Sequence, residues 1–155
     1  MEHESIYEII LKTQCHAYNQ ILYLLDRISR CDDGLIFEVA KDTPSVQRIS
    51  DFTNHKSDLI AEIDRLSKMI ADNQIKLIGA MSLVVNAESH PLLERLRTLQ
   101  DMVNRKIDHI VLEEDRENTA LCHSLEQYRE RLQLDYEISK IPKEKRKYFV
   151  YDPRG

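Results

Sequence analysis

The chain has 155 residues, 42% of them apolar and 32% charged, with only three Gly and four Pro and a formal charge of −5. This is the usage of one globular or coiled-coil domain rather than of a disordered chain, and so few helix breakers favour a few long helices over many strands and turns. A net negative chain lacks the positive field that non-specific phosphate binding requires, which counts against nucleic acid as a partner.

Residues 77–85 form the most apolar run, well short of the roughly 20 residues needed to span a bilayer, and residues 1–10 carry acids rather than a basic signal-peptide start. No membrane insertion and a cytoplasmic location are therefore expected. Cys15, Cys31 and Cys122 are odd in number and form no CxxC pair, so neither a disulfide framework nor a zinc ribbon is indicated. Cys15 and Cys122 read as small buried hydrophobes.

Ser5 with Glu8 matches a capping box, which places the start of a first helix over about 5–30. Its apolar face runs Ile6, Ile10, Ala17, Ile21, Leu24 and Ile28, flanked by Tyr7, Tyr18 and Tyr23. Asp32, Asp33 and Gly34 then form a turn signal inside a connection, 31–43. Its Leu35 and Phe37 either tuck against the bundle or belong to a flap over a groove.

Thr43 before Pro44 opens a second helix over about 44–78. Ile49, Phe52, Lys56, Leu59, Ile63, Leu66, Ile70, Asn73 and Leu77 recur at a mean of 3.5 residues, the period of a left-handed supercoil seam. Lys56 is the misfit in that seam. Whether the helix stops at Gly79 or runs on to Val85 is open, because an isolated Gly costs a helix only about 1 kcal/mol.

Ser89 or His90 can cap a third helix opened by Pro91 and running to about 141 without interior Gly or Pro. At 1.5 Å per residue it would reach about 75 Å, against roughly 40 Å for a compact globule of this length. The fold class expected is all-α: an elongated antiparallel helical bundle or coiled-coil hairpin of three long helices. Residues 142–155 form a C-terminal tail in which Lys143, Lys145, Arg146 and Lys147 precede Tyr148, Phe149, Val150 and Tyr151. The tail reads either as a poorly ordered end or as a docking element, with RNA binding by its bases a minor alternative.

The third helix carries a seam at Leu92, Leu96, Leu99, Val103, Ile107, Ile110, Glu114, Asn118, Leu121, Leu125, Tyr128, Leu132 and Tyr136. Polar residues 113–118 divide it into a half that pairs with the preceding helix and a half that needs another partner. If the reversal between helices 2 and 3 centres near residue 85, facing residues have numbers summing to about 170, and Lys56 meets Glu114. A Lys opposite a Glu inside an apolar seam costs desolvation but specifies register. The competing reading lets Lys56 snorkel to water while Glu114 faces solvent.

No arrangement of residues announces chemistry. A di-iron bundle needs two Glu-x-x-His pairs, and none occurs. Asp51 and His55 supply at most half a metal site. His16 and His123 each follow a cysteine, but neighbours on a helix diverge by about 100°, so a dyad would need cross-helix partners, and an enzyme or sensor using Cys122 and His123 is a minor third reading. With no P-loop, dinucleotide fingerprint, nucleophile elbow or zinc-protease motif, no catalytic residue, metal ligand or cofactor is expected, and the chain does not read as an enzyme.

Lys56-Ser-Asp-Leu-Ile-Ala-Glu-Ile-Asp-Arg-Leu66, Leu99-Gln-Asp-Met-Val103, Leu112-Glu-Glu-Asp-Arg-Glu-Asn118 and the ending Tyr151-Asp-Pro-Arg-Gly155 together resemble the FlgN/FliT-type flagellar export chaperones. That family has a lysine followed by spaced leucines on its second long helix, an Asn after an acidic stretch on the last, and often a terminal Tyr-x-x-x-Gly. The insert 31–43 and the apolar tip 77–85 depart from its pattern. The resemblance implies a cytoplasmic chaperone of flagellum biogenesis and type III secretion. Its partners would be the terminal helices of hook-associated or filament-cap subunits, with an export-gate component as a further partner.

A half-seam left unpaired within the chain is also, on physical grounds alone, a helix-in-groove receptor or a dimer seam. The partner-binding residues expected are Leu121, Leu125, Tyr128, Leu132 and Tyr136, with Tyr148, Phe149 and Tyr151 as an accessory tail. Two alternatives stay open. Helix 1 folds along this half and buries it, or the chain is a structural coiled-coil adaptor or tether that homodimerises through the same seam.

Overall fold

The structure is a computed structural model that describes residues 2–132, with side chains through 116 and at Asn118. Among the described residues there are three α-helices and no strand: α1 (Glu2–Val39), α2 (Val46–Met81) and α3 (Pro91–Leu132), with a single 3-10 turn, Ala87–Ser89, ahead of α3. The all-α expectation holds. Contacts group the described residues into two compact units, one from residues 2–25 with 61–106, the other from 26–60 with 107–132. Each helix contributes to both.

In the first unit, the core gathers Tyr7, Leu11 and Cys15 of α1, Leu77 of α2, Ala87 of the reversal, and Leu93, Leu96 and Leu99 of α3. A fully buried Leu such as Leu96 contributes about 1.5–3 kcal/mol by leaving water. The inward face of early α1 is therefore Tyr7, Leu11 and Cys15, not the expected Ile6 and Ile10; Ile6 is 46% exposed and Ile10 only partly covered. Tyr7 decides this rotation. Its ring fills the core and stands edge-on to His90 at 5.5 Å, while its hydroxyl donates to the Ala87 carbonyl at 2.8 Å, so the polar tip is satisfied without water.

The same unit fixes how the helices run. Gln14 Nε2 donates to the Ile70 carbonyl at 3.0 Å, Cys15 Sγ lies 3.7 Å from the Leu92 carbonyl, and Gln100 Nε2 donates to Tyr18 Oη at 3.3 Å. Partners of α1 on α3 rise in number from Leu92 to Gln100 as α1 advances from Cys15 to Tyr18, so α1 is parallel to α3. At the reversal, α2 runs through Gly79 to Met81, and Asn86 takes a left-handed conformation at φ 57°, which its short polar side chain tolerates. His90 is the residue that caps α3: its Nδ1 accepts the Leu92 N–H at 3.1 Å, and Pro91 opens the helix as expected.

In the second unit α1 departs most from expectation. The helix does not stop near residue 30; it runs through Asp32, Asp33 and Gly34 to Val39, leaving only 40–45 as the connection. The turn chemistry of Asp-Asp-Gly loses because tertiary contacts use each end of it. Asp32 is buried and bonded to Lys56, and a methyl at Gly34 would stand 2.7 Å from the Phe52 ring, so a bare backbone lets that ring close on the helix. Leu35 tucks into the unit as expected, whereas Phe37 does not and is 69% exposed.

The start of α2 also differs, falling at Val46 rather than Pro44. Ser45 is the cap, its hydroxyl accepting the Arg48 N–H at 3.3 Å, while the buried Glu38 carboxylate accepts the Ser45 N–H at 2.9 Å. A capping box ordinarily draws that second acceptor from three residues into its own helix. Here α1 supplies it, and Lys41 Nζ holds Glu38 from the other side at 2.7 Å. At the opposite end, the Ser5 and Glu8 box is not used: α1 begins at Glu2, with Glu2 and Glu4 complementing the positive end of its dipole and Glu8 paired to Lys12 at 3.1 Å.

Candidate partner-binding site

The seam read on α2 is buried almost without exception from Lys56 to Leu77, and that on α3 from Leu96 to Glu114. The two misfits meet. Lys56 Nζ donates to Glu114 Oε1 at 2.5 Å and to Asp32 Oδ1 at 2.8 Å, and all three side chains are at most 5% exposed. One buried ammonium on α2 therefore ties a carboxylate of α1 to a carboxylate of α3. Snorkelling of Lys56 is excluded by this geometry. Sequence reasoning found two members of the cluster and missed Asp32, although Ile28, Asp32 and Leu35 continue the four- and three-residue steps of the α1 face once Gly34 is read as helix.

Electrostatics within the cluster are set by burial. Desolvation pushes the Glu114 carboxyl up to about 9, a hydrogen bond with Asp32 pushes the same way, and the Lys56 ammonium only partly offsets them. Burial likewise pushes the Cys31 thiol up, the neighbouring Asp32 charge adding to it while Arg27 and Lys56 oppose. Cys15 is raised by burial too, so these two cysteines are packing groups rather than thiolate nucleophiles.

The same cluster locates the end of the unit. Ten residues back from Lys56 lies Val46, the first residue of α2, and ten forward from Glu114 lies Ser124; seven forward from Asp32 lies Val39, the end of α1, and seven from Glu114 lies Leu121. The described part of α3 runs on to Leu132, so by this count residues 125–132 extend past the helical parts of both α1 and α2. The expectation that half the α3 seam lacks a partner is thereby reduced: α1 is longer than expected and reaches the level of Leu121.

Of the expected partner-binding residues, Leu121, Leu125, Tyr128 and Leu132 lie on the α3 helix, but their side chains fall outside the described residues; Tyr136, Tyr148, Phe149 and Tyr151 lie outside the described residues altogether. Two candidates at this end of the unit were not expected. Phe37 and Val46, on either side of the α1–α2 connection, are 69% and 80% exposed. Val46 lies off the apolar repeat of α2 and so carries no signal in the sequence, whereas Phe37 allows two readings there, tucked against the bundle or part of a flap.

The residues weighed for chemistry are not brought together. Asp51 accepts from Gln47 Nε2 at 2.8 Å, and His55 shares a hydrogen with Arg27 at 2.9 Å. Among the described residues no group of three or more His, Cys, Asp or Glu could hold a metal ion, and no helix is long and apolar enough to cross a membrane. The side chains of Cys122 and His123 lie outside the described residues. The class defined here is an all-α protein of three long helices. No family model matches the chain, and no curated protein or solved structure gives a match.

Proposed function

We propose that this chain is a cytoplasmic secretion chaperone of the FlgN/FliT type, serving type III export in flagellum biogenesis. It holds the terminal helices of a hook-associated or filament-cap subunit along the end of α3. The observation that carries the reading is the length of α3, which outruns α1 and α2 beyond residue 124 while its sequence keeps an apolar residue every three or four positions through Leu125, Tyr128 and Leu132. An amphipathic client helix laid there would complete the packing that α1 and α2 supply lower down. Exposed Phe37 and Val46 add apolar surface at that same end.

The resemblance in Lys56 to Leu66 and Leu112 to Asn118 supports the class of client, and nothing in the arrangement calls for a reaction or a cofactor. A second reading rests on the same overhang: a structural adaptor or tether in which a second copy, rather than a client, covers it. Mass measurement with and without a peptide of a hook-associated subunit's terminal helix separates the two. A one-to-one complex supports the chaperone, a dimer indifferent to the peptide supports the tether. Truncation at Gln127, or Leu132→Ser with Tyr136→Ser, is expected to abolish client binding with little loss of helical signal; normal binding by these variants overturns the assignment.

A further inference from the structure

Two buried carboxylates face one buried ammonium where α1, α2 and α3 of the second unit meet. With both carboxylates ionised the cluster would carry a net negative charge out of water, which is among the most expensive arrangements a protein interior can hold. One oxygen is also unaccounted for: Glu114 Oε1 takes Lys56, but Glu114 Oε2 is buried with no hydrogen-bond partner when treated as an acceptor. A proton resolves both difficulties. Placed on Oε2, it cancels the excess charge and gives that oxygen a hydrogen to donate to Asp32.

We propose that Glu114 is a proton-binding site, holding a proton beside Asp32 and opposite Lys56 in the folded chain, so that packing of this unit takes up a proton from solution at neutral pH. Desolvation and the Asp32 contact, the same causes that raise Glu114 to about 9, keep it bound across the physiological range. The groups around the pair are Arg27 and Cys31 beside Asp32 on α1, His55 beside Lys56 on α2, and Glu113 and Asp115 flanking Glu114 on α3. Arg27 is engaged with His55, and Glu113 with Arg116 at 3.3 Å.

The direction follows from the raised value. Unfolded, the Glu114 carboxyl ionises in the ordinary acid range; folded, it keeps its proton to about 9. Its stabilising contribution is therefore complete below the ordinary carboxyl range and is lost as pH rises toward 9, where the unfolding constant grows about tenfold per pH unit. Glu114→Gln reproduces the protonated form, its amide accepting from Lys56 and donating to Asp32.

The direct test is carbon NMR of the full-length chain labelled at Glu carboxyls, titrated between pH 4 and 10. The Glu114 signal is expected to hold its protonated position through neutral pH; a midpoint in the ordinary Glu range overturns the proposal whether or not any variant folds. Urea unfolding of wild type and Glu114→Gln across the same range supplies the second readout. The variant is expected to lose one proton's worth of slope between pH 6 and 9 and to equal or exceed wild type at the alkaline end. Parallel curves overturn the proposal.

Discussion

Lys56 of α2 and Glu114 of α3 lie 58 positions apart in the chain and touch at 2.5 Å in a site that water does not reach. A contact of this kind is poor evidence for stability in itself, because desolvating both charges offsets most of their attraction, but removing one partner strands the others. Lys56→Met is expected to cost about 3–5 kcal/mol, since two carboxyl groups then remain buried without an ammonium. Adding Asp32→Leu and Glu114→Leu to it should recover most of that loss, as the cluster becomes continuous with Ile28, Leu59 and Ile110. Urea midpoints of the two variants at one pH check the pair, and a loss below about 1 kcal/mol for Lys56→Met alone would sink the argument.

Glu38 gives the opposite pH dependence. Its hydrogen bond from Lys41, and then that from the Ser45 N–H, hold its carboxyl below the ordinary range. Stability from a depressed acid is present above the unfolded value and is lost as pH falls through the folded one. The first turn of α2 is therefore expected to loosen in acid before the rest of the helix. Amide exchange at Arg48 and Ile49, compared between pH 6 and pH 4, should show lost protection in wild type. Glu38→Gln should show that loss already at pH 6.

The two helical glycines should respond oppositely to alanine. At Gly79 a new methyl would meet nothing within 4 Å, so Gly79→Ala is expected to stabilise α2 by about 0.5–1 kcal/mol through chain entropy alone. At Gly34 the methyl meets the Phe52 ring at 2.7 Å, and the ring must leave its place on the helix. Gly34→Ala should lose at least what the backbone gains, while Gly34→Ala combined with Phe52→Leu recovers. Thermal midpoints of the four proteins decide it; equal gains at the two glycines would show that Phe52 yields at no cost.

How far these features were legible depended on whether the signal was periodic or local. The α2 and α3 seams repeat over many turns, so their register, and with it the meeting of Lys56 and Glu114, followed from counting. Pro91 likewise marked its helix start, because a fixed φ and a missing N–H act locally whatever surrounds them. Asp32 to Gly34 misled for the converse reason. Their turn chemistry is also local, but Lys56 and Phe52, about twenty residues away, make helix the cheaper choice there. Tyr7 flanks the apolar repeat of early α1 in the sequence; its burial depends on the Ala87 carbonyl, 80 residues on, which accepts its hydroxyl.

Ser45 directly follows Pro44, the expected opening of α2, and its partner Glu38 falls within 31–43, the stretch expected to be a connection. The end of α3 is the reverse case: its apolar pattern was plain, but how much of it α1 covers depended on where α1 stops, which Gly34 concealed.

A further consequence attaches to the Lys56 and Glu114 contact if copies of the chain exchange segments. Opening the turn at 82–90 would let α3 of one copy lie along α2 of another, and that exchange is permitted only where the visiting helix brings its own Glu114 to Lys56. Shifted by a single turn, the ammonium would face Ile110, and Glu114 would be buried without the Lys56 contact. A domain-swapped dimer is thus confined to the intramolecular alignment, and mixed pairing with generic coiled coils is shut out by one charge.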